Sequence, residues 1–126
     1  MKKVYIFITV ILIVAISTFW LIRSFDKPAK KDVIKIGLCL YRFDDTFIDS
    51  VRTEIENYVE EYEAANNVKI NLEVVDARDN QNTQNHQVER FVSLDYDALC
   101  INVVDRFAVS NMIENALGAG IPIIFF

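Results

Sequence analysis

Short apolar segments alternate with segments of helical periodicity along most of this chain. Apolar residues that recur every three or four positions are typical of an amphipathic helix, whereas short runs rich in Val, Ile and Phe are typical of strands. The predicted strands are residues 33–41, 69–76, 98–104 and 121–126, and the predicted helices are residues 46–65, a segment around 88–94 and residues 107–117. This βαβαβαβ order predicts an α/β fold with an open, mostly parallel sheet and helices on both faces.

The first two predicted helices differ in their polar and apolar patterns. The first has an apolar stripe at helical spacing, made of Phe47, Val51, Ile55, Tyr58, Val59 and Tyr62. An amide-rich run, DNQNTQNHQ, precedes the second helix, whose stripe is Val88, Phe91, Val92 and Leu94. Low complexity is the simplest interpretation of such a run. Because the run merges into a helix, however, we expect it to be ordered.

An apolar segment without charges lies near the amino terminus, from Val4 to Ile22. Its nineteen residues are just long enough to cross the hydrocarbon core of a bilayer, which is about 30 Å thick. Both a signal peptide and an uncleaved membrane anchor fit this pattern. We therefore predict that residues 1–31 are an export signal or anchor with a basic linker. Residues 32–126 are then a domain on the extracytoplasmic face of the membrane, anchored there or released.

The chain from residue 32 onward is strongly acidic. It has 17 Asp and Glu residues against 7 Lys and Arg residues, a net charge of −10 with the histidine neutral. Such a domain repels phosphate backbones, so nucleic acid is not expected as a partner, and a neutral small molecule or a cation fits better. Cys39 and Cys100 lie in apolar runs, where thiols are usually small buried hydrophobes. A disulfide is the alternative in an exported protein.

The stretch IGLCLYRFDDTF, residues 36–47, ends a predicted strand in aromatic and acidic residues. Ligands of open α/β sheets bind at the carboxyl ends of the strands. An aromatic ring covers the C–H face of a pyranose, and a carboxylate accepts charge-assisted hydrogen bonds from its hydroxyls. The turn therefore predicts a sugar site. Its candidate residues are Tyr41, Asp44, Asp45 and Phe47.

Each candidate residue also has a structural alternative. Either Asp44 or Asp45 could cap the amino end of the first helix, at the positive end of its dipole. Phe47 could be a core residue of that helix. Tyr41 could end the strand with its hydroxyl in water.

Three further polar residues bear on the function. Asn102 and Asp105 follow the third predicted strand at the same edge, and Asp105 could contact a ligand or cap the third helix. His86 lies among amides with no second histidine or cysteine nearby, so we do not expect a metal site. The chain has no Gly-rich phosphate loop after the first strand and no nucleophile with a histidine partner. We therefore do not expect an enzyme.

Four stretches of the chain resemble the amino-terminal lobe of galactose/glucose-binding proteins, the type I periplasmic-type receptors of bacterial sugar importers. The stretches are IGLCLYRFDDTFIDSVR, DARDNQNTQNHQVER, ALCINVVDRFAVSNMIENA and GIPIIFF, which together cover nearly all of residues 36–126. The resemblance implies that the first turn supplies a carboxylate for the sugar hydroxyls and an aromatic that stacks on the ring. Those roles fall on Asp45 and Phe47, with Tyr41 lining the same pocket. Asp44 is then the expected helix cap.

The resemblance also implies a non-catalytic function, hexose binding for ABC-type sugar import. In the family, two lobes close on a galactose or glucose molecule, and a membrane permease or a chemoreceptor recognises the closed form. The family's second lobe carries further sugar contacts and a calcium-binding loop, so no cofactor is expected in these residues. We expect the chain to be an incomplete amino-terminal lobe. Residues 32–126 alone are then expected to bind glucose or galactose weakly or undetectably.

Two other classes of protein fit part of the pattern. A sugar-sensing lobe of a membrane-anchored signalling receptor would use the same residues. A phosphoacceptor receiver domain also has an acidic pair after its first strand, and it would make Asp105 a phosphorylation site that needs magnesium. The predicted export segment argues against a receiver domain, because it would put that chemistry in the wrong compartment.

Overall fold

In the computed structural model, which describes residues 33–126, strands and helices alternate in the predicted order. The elements are β1 Ile34–Leu40, α1 Thr46–Asn66, β2 Ile70–Asp76, α2 Gln81–Ser93, β3 Ala98–Ile101, α3 Ser110–Gly118 and β4 Ile123–Phe125.

The four strands form one parallel sheet in the order β2-β1-β3-β4. β1 is central, with Ile36 opposite both Leu72 of β2 and Ala98 of β3. The chain adds β2 on one side of β1, and then β3 and β4 on the other side. Such a reversal opens a crevice at the carboxyl ends of the strands, between β1 and β3. The predicted open parallel α/β sheet is confirmed.

Successive side chains of β1 face two different cores, as the strand period requires. Cys39 packs in one core with Phe91 of α2 and Met112 of α3. Leu40 packs in the other core with Ile48 of α1. Helices therefore lie on both faces of the sheet, as predicted, and the two cores hold β1 from both sides.

The predicted apolar stripe of α1 is less buried than its spacing indicates. Ile48 is buried, whereas Phe47 and Tyr58 are 73% and 65% exposed. Within residues 33–126, α1 is the one helix that packs in the core on its face of the sheet. An apolar groove of about 280 Å³, lined in part by Tyr58 and Cys100, runs between α1 and the strands. One helix is too narrow to cover this face completely, which leaves part of the stripe in solvent.

Helix α2 begins earlier than the position of its apolar stripe suggests. Gln81 is its first residue, and the Asn80 side chain caps the helix by accepting the Thr83 N–H at 3.0 Å. Most of the amide-rich run therefore lies inside α2. The expectation that this run is ordered is confirmed, and the low-complexity interpretation is wrong.

Helix α3 begins later than predicted, at Ser110 instead of Phe107. The Asp105 carboxylate accepts the Phe107 N–H at 2.8 Å, and the Ala108 N–H donates to the Asp105 carbonyl at 3.1 Å. These bonds close a separate turn before the helix. The alternative in which Asp105 caps α3 is wrong, because Val109 is in the N-cap position and no side chain caps it.

Both cysteines are free thiols in largely apolar surroundings. Cys39 is fully buried, and burial raises its pKa to about 12. Burial also raises the pKa of Cys100, which is half-buried. The expectation that these thiols act as small apolar side chains agrees with their positions.

The predicted export signal or anchor at residues 4–22, with the rest of residues 1–31, lies outside the described residues. Between residues 33 and 126, none of the helices has both the length and the apolar character that a bilayer span requires.

Candidate functional site

The predicted site residues lie where the strands end. We call this region the carboxyl edge, and it comprises residues 41–47, 77–80, 102–109 and Phe126. Backbone hydrogen bonds connect its turns to β1. The Ala77 N–H donates to the Leu40 carbonyl at 2.8 Å, and the Asn102 N–H donates to the Cys39 carbonyl at 2.9 Å. The Asp79 N–H also donates to the Tyr41 carbonyl, at 2.7 Å. The turn after β1 and the loop after β3 therefore flank the crevice between these two strands.

Asp45 is fixed by three hydrogen bonds at the start of α1. Its Oδ1 accepts the N–H groups of Phe47 at 2.9 Å and Ile48 at 3.0 Å, and its Oδ2 accepts the Tyr41 hydroxyl. The backbone of Asp45 is extended (φ −83°, ψ 117°), as an N-cap residue requires. The carboxylate therefore has one defined orientation at the carboxyl edge.

The same hydrogen bonds favour the ionised form of Asp45. The Tyr41 hydroxyl, and after it the Ile48 amide, lowers the pKa of Asp45 below its ordinary value. The bond to Asp45 in turn raises the pKa of Tyr41, so the hydroxyl keeps its proton and remains a donor. A carboxylate offers about four acceptor positions. Three donors from the described residues occupy Asp45, which leaves room for one more hydroxyl donor.

Asp44 does not have the role predicted for it. Its side chain is 81% exposed and forms an ion pair with Arg42 at 3.0 Å. The helix cap is Asp45, so the assignment of Asp44 as the cap is wrong. The reason is geometric, because the residue directly before the first helical residue has the extended backbone that directs its carboxylate toward the free N–H groups.

Phe47 and Tyr41 use their rings differently. Phe47 is 73% exposed at the second position of α1, so the alternative of a core residue is wrong. Tyr41 packs against the core that includes Leu40 and Ile48, and its hydroxyl reaches Asp45 instead of ending in water. The start of α1 therefore has an exposed aromatic ring at Phe47, two positions after a carboxylate whose ionised form is favoured.

A polar cleft that was not predicted from the sequence lies next to this turn. Its volume is about 340 Å³, and it is lined by Arg42, Phe43, Asp44, Asp76, Arg78 and Asp79. Arg78 and Asp79 both have left-handed backbones, with φ of 53° and 56°, which is uncommon for residues other than glycine. The Asp76 carboxylate supports this turn by accepting the Arg78 N–H at 2.8 Å. The polar residues that directly follow β2 were the sequence signal that could have predicted this cleft.

Asn102 lies at the carboxyl edge, as predicted. Its Nδ2 donates to the Phe126 carbonyl at 2.9 Å, and its Oδ1 is buried without a hydrogen-bond partner among the described residues. Asp105 is also at this edge, where its carboxylate closes the turn at Phe107. His86 lies elsewhere, exposed on α2, with its Nδ1 3.2 Å from the Glu89 carboxylate. No group of potential metal ligands forms within residues 33–126.

Comparison with known proteins gives a family for this arrangement. A family model described as a periplasmic binding protein domain matches residues 36–126. The chain is 34% identical over 92 residues to the D-galactose/methyl-galactoside binding periplasmic protein MglB of Haemophilus influenzae, an alignment that covers 73% of this chain and 26% of that protein. The chain spans 26% to 29% of the length of the curated relatives that it matches.

Solved structures have the same fold. An ABC transporter solute binding protein from Bacillus halodurans with bound myo-inositol is 30% identical, with a TM-score of 0.60 over 77% of this chain and 32% of that one. The fructose binding periplasmic domain of a hybrid two-component system is 24% identical, with a TM-score of 0.64 over 73% of this chain and 29% of that one. Because the family model matches well over half of its residues, the chain belongs to the periplasmic binding protein domain family.

Proposed function

We propose that this chain is the sugar-contacting part of an extracytoplasmic binding protein for a hexose such as galactose or glucose. One observation carries the proposal. The exposed ring of Phe47 and the ionised carboxylate of Asp45 lie two positions apart at the carboxyl edge, beside the crevice between β1 and β3. The identity of 34% to a galactose-binding relative supports the same ligand class.

Each of the three contact residues has a distinct task in this proposal. Phe47 covers the apolar C–H face of the sugar ring. Asp45 accepts a hydrogen bond from a sugar hydroxyl, and because it is ionised this bond is about twice as strong as a neutral one. The Tyr41 hydroxyl holds the Asp45 carboxylate in place. The carboxylate therefore loses little conformational entropy when the sugar binds.

The wider role that we propose follows the relatives. A second lobe would close over the sugar, and the closed form would deliver it to the permease of an ABC importer or signal to a chemoreceptor. Residues 1–31 would be the export signal or anchor, and residues 32–126 the part of the first lobe that contacts sugar, on the extracytoplasmic face of the membrane.

The affinity of this chain alone is expected to be low but measurable. We narrow the expectation of weak or undetectable binding to weak binding, because hydrogen bonds hold the Asp45 carboxylate in one orientation before sugar binds. The proposed half-site offers one stacking surface and one carboxylate, and it leaves the other sugar hydroxyls in water. A dissociation constant in the millimolar range corresponds to about −4 kcal/mol. Nuclear magnetic resonance detects such weak binding residue by residue, and it is the suitable method.

The test is a titration of the isotopically labelled full chain with D-galactose and with D-glucose. We expect amide shifts that saturate at millimolar sugar and cluster at residues 41–48. Asp45→Asn is the decisive variant, because asparagine caps a helix about as well as aspartate but carries no charge. Asp44→Asn is the matched control, since it removes the same charge from the neighbouring exposed residue.

We expect Asp45→Asn to lose most of the sugar-induced shifts while its α1 amides keep their native positions, and Asp44→Asn to bind like the parent chain. The proposal is wrong if galactose and glucose move no amide at the carboxyl edge. It is also wrong if Asp45→Asn binds as well as the parent chain.

A second candidate is the sugar-sensing lobe of a membrane-anchored signalling receptor. The observation that favours it is the structural likeness to the periplasmic domain of a hybrid two-component system. The reading frame after the codon for Phe126 separates the two candidates. A second sugar-binding lobe alone supports transport or chemoreception, whereas a transmembrane helix and a kinase region support signalling.

A further inference from the structure

The amide-rich run at the start of α2 has a role that the proposed sugar contacts do not explain. Gln81, Gln84 and Gln87 are spaced three residues apart, so they lie along one side of α2. Each of them donates or accepts a hydrogen bond with backbone atoms at or next to the carboxyl edge. We call these three residues the glutamine clamp.

Gln84 is the centre of the glutamine clamp. It is fully buried, and its side-chain amide forms two hydrogen bonds with the segment after β3. Its Nε2 donates to the Asn102 carbonyl at 2.9 Å, and its Oε1 accepts the Val104 N–H at 3.1 Å. A primary amide is costly to bury unless both of its ends are paired. Both ends of the Gln84 amide are paired here. Its partners, the Asn102 carbonyl and the Val104 N–H, follow the last residue of β3 and have no strand among residues 33–126 to pair with.

Gln81 and Gln87 extend the same arrangement in both directions. The Gln81 Oε1 accepts the Asp105 N–H at 2.8 Å, one residue beyond the reach of Gln84. The Gln87 Nε2 donates to the Asp76 carbonyl at 2.7 Å, where β2 ends. One helix therefore holds the loop after β3 through two of its glutamines and the end of β2 through the third.

The loop that the clamp holds carries an exposed aromatic residue. Phe107 is 82% exposed, and the Arg106 guanidinium lies 4.8 Å from the centre of its ring. The Asp105 carboxylate fixes the Phe107 N–H, and Gln81 fixes the Asp105 N–H. These hydrogen bonds connect α2 to the backbone of Phe107, an exposed aromatic residue at the carboxyl edge.

We propose that Gln84, supported by Gln81, is a positioning residue that sets the conformation of residues 102–109 beside the sugar site. This inference rests on the proposed function for the identity of the ligand. A purely structural role is the alternative, in which Gln84 stabilises the whole domain and does not act on the loop in particular. If Gln84 acts on the loop, its substitution should accelerate amide exchange mainly within residues 102–109. If it stabilises the whole domain, exchange should accelerate throughout.

The test measures amide hydrogen exchange in the full chain by nuclear magnetic resonance. Gln84→Met keeps the length of the side chain and removes both hydrogen bonds. The exchange of the Val104 N–H should then become roughly tenfold faster, as expected for the loss of a hydrogen bond. The Leu99 N–H, which donates to the Pro122 carbonyl, and the Ala77 N–H, which donates to the Leu40 carbonyl, should change far less.

Two isosteric variants provide a matched comparison. Gln81→Glu keeps the oxygen that accepts the Asp105 N–H and turns its second oxygen toward Asn85, whose side-chain amide can rotate to donate to it. We therefore expect exchange at Asp105 close to that of the parent chain. Gln84→Glu keeps an acceptor for Val104 but turns a second oxygen toward the Asn102 carbonyl. We expect faster exchange at Val104 in this variant than in Gln81→Glu.

The inference is overturned if Gln84→Met accelerates the Val104, Leu99 and Ala77 amides equally, because the substitution then acts on the whole domain. It is also overturned if Val104 does not respond. The same samples titrated with galactose should show a severalfold weaker affinity for Gln84→Met than for Gln81→Glu. The exchange rates measured without sugar test the glutamine clamp by itself. A parent chain that shows no sugar-induced shifts instead counts against the proposed function.

Discussion

At the scale of single residues, Asp45 has the helix-capping role that was predicted for Asp44, and its contact with a sugar stays a prediction. One carboxylate oxygen caps α1, and the other accepts the Tyr41 hydroxyl. Asp44 and Asp45 are adjacent and have identical side chains, so the sequence does not show which of them caps the helix. Their roles depend on which of them has the extended backbone before Thr46, a detail of the turn that spacing alone does not determine.

The double role of Asp45 predicts a pH dependence. Its pKa is lowered from 3.8, first by the Tyr41 hydroxyl and then by the Ile48 amide, so the ionised form is favoured in the folded state. The stabilisation is therefore complete above the ordinary pKa and is lost as the pH falls through the lower folded-state pKa. Asp45→Asn should have a smaller decrease in melting temperature than the parent chain between pH 7 and pH 3.

Thermal melts followed by circular dichroism check this prediction, with Asp44→Asn as the control. Asp44 has an exposed ion pair, and such pairs contribute little to stability. Its variant should therefore follow the parent chain at every pH. Equal pH dependence of Asp45→Asn and the parent chain would contradict the role assigned to the Tyr41 hydrogen bond.

At the scale of elements, apolar periodicity predicted which elements exist, but it did not predict where α2 and α3 begin. The start of α2 depends on Asn80 and on glutamines that reach backbone atoms about twenty residues away, such as Val104. The start of α3 depends on the Asp105 turn. The Asn80 cap and the Asp105 turn join residues only three and two positions apart, whereas the glutamine contacts have no local signature. The spacing of apolar residues did not predict the exposure of Phe47 either, because it does not show how much of a sheet face one helix covers.

The contact between β1 and α2 gives a prediction at this scale. Gly37 lies so close to α2 that an added Cβ would be 2.6 Å from Cδ2 of Phe91. Gly37→Ala should therefore overpack the core and lower the free energy of unfolding by about 1–3 kcal/mol. Urea denaturation measures the change.

Gly118→Ala is the matched control, because an added Cβ there has no neighbour within 4 Å. It should be neutral or slightly stabilising, since alanine restricts the unfolded chain. Phe91→Leu in the Gly37→Ala background should recover part of the lost stability by relieving the contact. Additive effects of Gly37→Ala and Phe91→Leu would show that the two side chains do not interact as described.

At the scale of the whole molecule, the parallel sheet brings residues from distant parts of the sequence to one edge. The turn at Asp45 and the loop at Asn102 meet there because β1 and β3 are neighbours in the sheet. The alternation of strands and helices, together with the resemblance of four stretches to sugar-binding proteins, predicted this architecture and the family. The ligand-binding roles of Tyr41, Asp45 and Phe47 remain predictions, and their geometry is compatible with a sugar.

The most direct test of the central claim is a saturation-transfer measurement on the full chain with D-galactose, with irradiation of the aromatic protons. The account predicts transfer to the C–H protons on one face of the sugar. Phe47→Leu should abolish this transfer, and Tyr58→Leu, which removes another exposed aromatic ring from α1, should retain it. Transfer that persists in Phe47→Leu, or that is absent in the parent chain, would contradict the account.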